Sequence, residues 1–155
     1  MQSIVLWLFV LNLGIAFGAG LYEHRIVASR WVAVSADGAH WHAELARRDD
    51  TGRRFWAFVT TIPLTLLTLA NIYAAWYSID TVRAWWLAAG ICAFADRALT
   101  FGYFIPTLVG LMKEADSPES AAIAVHWGQL NYLRHALVLA AWLASLKAFA
   151  LWHAR

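Results

Sequence analysis

Between His126 and His135 the chain places two histidines, Gln129, Asn131 and Arg134 directly ahead of an apolar run that lasts to Leu151. Polar groups of this kind are expensive in hydrocarbon, so they must face protein or a water-filled cavity. On a helix, Asn131, Arg134 and His135 share one face with Trp127 and Ser145, while Gln129 and Tyr132 lie opposite. Glu23, Asp96 and Arg97 are also charged residues in apolar surroundings. A lone charge at such a position costs ~2.5–3.5 kcal/mol on insertion scales. Two acids and two arginines roughly cancel, which allows two readings. One is a structural ion-pair network that ties helices together. The other is a polar pocket, since Tyr103, Asn131 and the histidines exceed what helix packing requires.

The elements that position these groups are membrane helices. The chain has 155 residues, of which 61% are hydrophobic and only 14% charged, with a mean hydropathy of +0.54. A soluble domain is ~45–50% apolar and ~25% charged. The excess falls in four blocks, each long enough for the ~20 residues that a bilayer core demands. The sequence therefore predicts one domain, an all-α integral membrane protein built as an antiparallel bundle of four transmembrane helices. The helices are expected over about 3–26, 54–77, 83–112 and 119–152, with a long loop over 27–53. Within the loop, residues 38–48 read as a short amphipathic helix on the membrane surface. Asp80-Thr-Val-Arg83 reads as a tight turn, and Ser117-Pro118-Glu119 as the start of the last helix. Pro63 and Pro106 should distort the turns before them. Trp7, Trp31, Trp56, Trp76, Tyr77, Trp85, Trp86 and Trp152 fall at block ends, where amphipathic rings favour the headgroup layer.

Met-Gln-Ser precedes the first apolar block without a basic segment, so the block reads as a retained helix rather than a signal peptide. Gly14 and Gly18, with Ala16 and Gly20, form small-residue surfaces for close helix approach. Packing inside the monomer is the simpler use of them, and a homo-oligomer the other. Cys92 is the only cysteine and reads as a packing thiol. Arg25, Arg30, Arg47, Arg48, Arg53, Arg54 and Lys113 lie on one side, against Arg83, Lys147 and Arg155 on the other. The positive-inside rule then puts the long loop in the cytoplasm and both termini outside, as expected of a multi-pass protein of the inner (cytoplasmic) membrane.

Alternating helix direction places Glu23, Asp96, Arg97, Tyr103, His126, Asn131 and Arg134 in the same half of the bundle. They are expected to form one pocket under the loop, with aromatic walls from Trp56, Phe101, Phe104 and Trp127. Arg134 cannot shed its proton and needs an acid. Glu23 is the expected partner by depth, because Asp96 has Arg97 beside it. His40-Trp-His42 does not chelate from a helix, where positions i and i+2 point apart, and no metal is expected. A bis-histidine haem site would use His24 and His126, but nothing else supports a cofactor. The expected partners are the lipid bilayer and a hydrophobic small molecule, with no nucleic acid.

Gly18-Ala-Gly-Leu-Tyr-Glu23, Arg54-Phe-Trp56 and Trp127-x-x-Leu-Asn131-x-x-Arg134 resemble the small four-helix membrane proteins of the anthrone oxygenase-like family. The resemblance spans essentially the whole chain in helix count and length. It implies oxidation of a polycyclic anthrone to an anthraquinone by O₂, without metal or flavin. In that chemistry His126 or Glu23 would take a proton from a phenol or enol. Arg134, helped by Arg97, would hold the anion and the developing peroxide. Tyr103, Asn131, Asp96, Trp127 and His135 would line and orient the substrate. The competing class is non-enzymatic: a lipid- or quinone-binding or structural membrane subunit.

Overall fold

The computed structural model describes residues 2–154; Arg155, counted above for topology, lies outside the described residues. Four helices are long and apolar enough to cross a membrane: α1 (Gln2–Arg30), α3 (Gly52–Trp76), α4 (Thr81–Leu111) and α5 (Pro118–His153). This is a multi-pass, helical membrane bundle. The helices form a closed ring in which α1 packs on α3, α3 on α4, α4 on α5, and α5 back on α1. One end carries both termini and the α3–α4 turn. The other carries the segment between α1 and α3.

That segment is more ordered than a loop. α1 runs on to Arg30, and a two-stranded antiparallel hairpin follows, β1 (Val32–Ser35) and β2 (Gly38–Trp41). Only then comes a short helix, α2 (Ala43–Asp49). The expected helix over 38–48 is thus half strand. The cause lies in the pattern: Val32 and Val34 alternate with small residues, and Gly38 takes φ +133 where the chain reverses. A two-residue connection, Ala36-Asp37, separates the strands.

The hairpin is clasped to the α4–α5 connector. Asp116 accepts the Trp41 backbone N–H at 2.8 Å and contacts His40 Nδ1 at 3.0 Å. The Trp41 indole donates to the Leu111 carbonyl at 2.8 Å. The Trp41 amide, and then the His40 bond, hold the Asp116 carboxyl below its ordinary value of 3.8. A lowered carboxyl stabilises the clasp above its ordinary titration range. That contribution is lost as pH falls through the folded value. Protection of the Trp41 amide against hydrogen exchange is therefore expected to be high at neutral pH and to fall in acid. Asp116→Asn should remove the pH dependence, and a protection factor that persists in acid in the wild type would refute the clasp.

The distortions expected at the prolines are wide π-type turns, over Gly52–Thr61 before Pro63 and Thr100–Phe104 before Pro106. A third, over Glu23–Val27, has no proline. In an α-helix the Val59 carbonyl would receive an N–H from position 63, which proline lacks. Asn12 Nδ2 donates to it instead at 2.9 Å, so α1 satisfies the break in α3. Thr60, Thr65, Thr68 and Thr100 bond back to carbonyls of their own helices.

The turn between α3 and α4 falls at Ser78, whose carbonyl accepts Arg83, and helix is already under way at Asp80, where a turn was expected. Ser117 and Ser120 cap α5 reciprocally, with Pro118 in the first turn. Near the terminal end, Asn71 bridges three helices. It donates to Leu67 and Val5 carbonyls and accepts the buried Trp86 indole at 2.8 Å. Trp86 and Trp31 are core residues, not headgroup anchors, whereas Trp7, Trp76, Tyr77 and Trp85 are exposed as a belt should be. A Cβ at Gly14 would crowd Trp142 of α5, inside the monomer, while one at Gly18 would enter open space.

Candidate functional site

The polar residues of the hairpin-side half separate into three places. The first is a sealed ionic layer between α4 and α5. Asp96 is fully buried and serves two guanidiniums. Its Oδ1 accepts Arg134 Nε at 3.3 Å, and its Oδ2 accepts Arg97 Nε at 3.0 Å and Arg97 Nη2. Arg134 also donates to Asn131 Oδ1 at 3.2 Å and stacks over the Phe104 ring, 4.8 Å from its centroid. Asn131 in turn donates to the Trp127 carbonyl at 3.0 Å.

The expected Glu23–Arg134 pair is not the one formed. A carboxylate has two oxygens and can hold two arginines, and the tight packing of α4 on α5 brings Arg134 to Asp96. The Glu23 carboxylate accepts the Thr51 hydroxyl instead, with the Trp56 indole and Arg134 in its surroundings.

The second place is a cavity of about 370 Å³ beneath the hairpin. Trp31, Trp41 and Trp127 supply its walls, with Leu108 and Leu111 of α4, and His24, Arg25 and Tyr132 supply its polar groups. Each of the three indole N–H groups is already bonded: Trp31 to Asp49 at 3.0 Å, Trp41 to Leu111, and Trp127 to the Phe104 carbonyl at 3.2 Å. The tryptophans therefore offer only apolar surface. His24 packs edge-on to Tyr132 and to His135, with ring centroids 4.7 and 5.6 Å apart. Both histidines have a buried Nδ1 without a hydrogen-bond partner among the described residues. His135 comes this close because position 20 is glycine. A Cβ there would lie 2.8 Å from His135 Nε2.

The third place is a groove between α4 and α5, lined by Tyr103, Thr107, Glu114 and the exposed His126. The Tyr103 and His126 rings stand 6.4 Å apart. His126 is thus parted from Glu23, Arg134 and His24, and His24 faces His135 rather than forming a pair with His126. Of the expected aromatic walls only Trp127 lines the cavity. Phe104 is buried under Arg134, Trp56 faces Glu23, and Phe101 is half exposed. His40 lies on strand β2 and is engaged by Asp116, His42 is the N-cap residue of α2, and no cluster of three metal-ligating side chains forms among the described residues.

A pocket under the loop was expected, but its separation from the ionic layer was not, nor were the roles of Trp31, Trp41 and Tyr132 in it. The valine alternation beside Trp31 and Gly38 was the available signal for a hairpin that folds those rings inward. Compared with known proteins, the chain matches no family model, no curated protein and no solved structure.

Proposed function

We propose that this protein binds a hydrophobic aromatic or quinol-like small molecule in the cavity beneath its hairpin. The observation that carries the reading is a cavity of about 370 Å³ walled by three tryptophans whose N–H groups are spent, with His24, Arg25 and Tyr132 as its few polar groups. Sites for small ligands have this make-up, apolar walls with a few placed polar groups, and run to ~300–1,000 Å³.

Cofactor-independent oxygenation is the reaction that the family resemblance implies. A ring CH₂ set between two aromatic rings, across the central ring from a ketone, loses a proton to give the enolate, whose carbon end adds O₂. The peroxide then loses water to leave a second ketone, so that CH₂ and O₂ become C=O and H₂O. At this cavity the proton acceptor is His24. The Asp96–Arg97–Arg134 layer supports a structural role instead, since its carboxylate is fully engaged within the bundle.

Mass spectrometry of small molecules that co-purify in mild detergent tests binding. An aromatic or quinol-like compound retained by the wild type and lost from Trp41→Ala is the expected result. Bulk membrane lipid alone, identical in both, would overturn the reading. Oxygen uptake on adding an anthrone separates an oxygenase from a binding subunit.

The proposal includes an inner-membrane location with the hairpin in the cytoplasm. Single cysteines at Ser3 and Asp37, in a Cys92→Ala background, should react with an impermeant maleimide from opposite sides. Reaction from the same side would sink the topology.

A further inference from the structure

We propose that the ligand of this cavity is an acid: a flat aromatic molecule bearing an ionised carboxylate or comparable anion, its ring against the tryptophans and its anionic head toward Arg25 and His24. The inference rests on the cavity reading above. Its first support is the charge of the lining. Arg25 is the one formally charged residue there, and no aspartate or glutamate lines the cavity. Its second is that the charge is uncommitted. Arg25 is an exposed residue and makes no ion pair among the described residues, whereas Arg30, one turn on, is paired with Asp49 at 3.2 Å. Its third is His24, which stands beside Arg25 in the lining and is the one imidazole there.

Three aromatic walls alone would suit a cation, through attraction to ring faces. A guanidinium in the same lining, with no carboxylate to offset it, reverses that preference. A planar anion can bond to a guanidinium in two-pronged fashion, the geometry in which arginine binds carboxylates best. The apolar body then occupies the walls, which have no free donors to offer.

The test uses three probes of one shape in non-ionic detergent: anthracene-2-carboxylate, 2-(hydroxymethyl)anthracene and 2-(aminomethyl)anthracene as its ammonium. Binding is read by energy transfer from tryptophan to anthracene. The carboxylate is expected to bind at least about tenfold more tightly than the alcohol, a difference of ~1.4 kcal/mol. Arg25→Gln should bring that ratio close to one. Because the ratio is compared between two proteins, unequal partitioning of the probes into micelles cancels. If the three probes bind alike, or the ammonium binds best, the acid assignment fails and the cavity reading stands. If none binds, both fail.

Discussion

Asp96→Asn is expected to be the most damaging single substitution in the bundle, with a loss of ~3–5 kcal/mol, the range for breaking a buried ion pair from one side. The reason is the count of charges. One carboxylate holds Arg97 and Arg134, and Arg97 is 6% exposed, so removing the acid strands two guanidiniums that cannot deprotonate. Arg134→Met removes one cation and leaves Asp96 still paired with Arg97. Its cost should therefore be markedly smaller, limited to the Asn131 bond and the Phe104 contact. The triple variant Asp96→Asn, Arg97→Met, Arg134→Met should recover much of the loss, because apolar groups of similar volume replace a buried network with little penalty. Thermal unfolding of the three variants in detergent decides it. Equal losses from Asp96→Asn and Arg134→Met would show that the two arginines do not share the acid.

Trp127→Ala should have the second large effect, and it should fall on stability and binding together. Trp127 is 7% exposed and joins three structures: the Phe104 carbonyl beside the second π turn, the Trp31 ring and the cavity wall. Truncating a buried tryptophan costs ~3–5 kcal/mol. Loss of the wall should also weaken binding of anthracene-2-carboxylate by more than about tenfold. Trp127→Phe keeps a ring in the wall while leaving the Phe104 carbonyl without its donor, so it should retain binding better than it retains stability. Normal binding by Trp127→Ala would remove the cavity from consideration.

The four helices and their order were legible because each apolar block is long, and length alone selects a membrane helix. The face of α5 was legible too. It is unbroken α-helix, and Trp127, Asn131 and Ser145 are all buried on the expected side, with Gln129 exposed, whereas Tyr132, expected opposite, packs on His24 and lines the cavity. The faces of the other helices were not. A π turn holds about one residue more than an α turn, which slips the helical wheel by roughly 100° for everything beyond it. Tyr103 lies within such a turn, and Asp96 lies ahead of it, so Asp96 faces α5 from the core while Tyr103 lines the outer groove. Glu23 begins another, and it bonds to Thr51 rather than pairing with Arg134. Proline announced two of these turns. The one at Glu23–Val27 has no such marker.

The length of α5 has a consequence for how a ligand would be supplied. Its 36 residues rise ~54 Å at 1.5 Å each, against a hydrocarbon core of ~30 Å. About 24 Å must stand clear of the acyl chains. The aromatic belt at the terminal end sets that end at the surface, so most of the overhang lies at the other, where the hairpin packs against it. An upright α5 would put the cavity at about the depth of the lipid headgroups. An amphiphile that has dissolved in the bilayer orients itself there and arrives by lateral diffusion, without crossing water. Its working concentration is its mole fraction in lipid, not its aqueous molarity. Apparent affinity measured in micelles should accordingly weaken in proportion as detergent is added, because each added micelle dilutes the phase from which the cavity is filled.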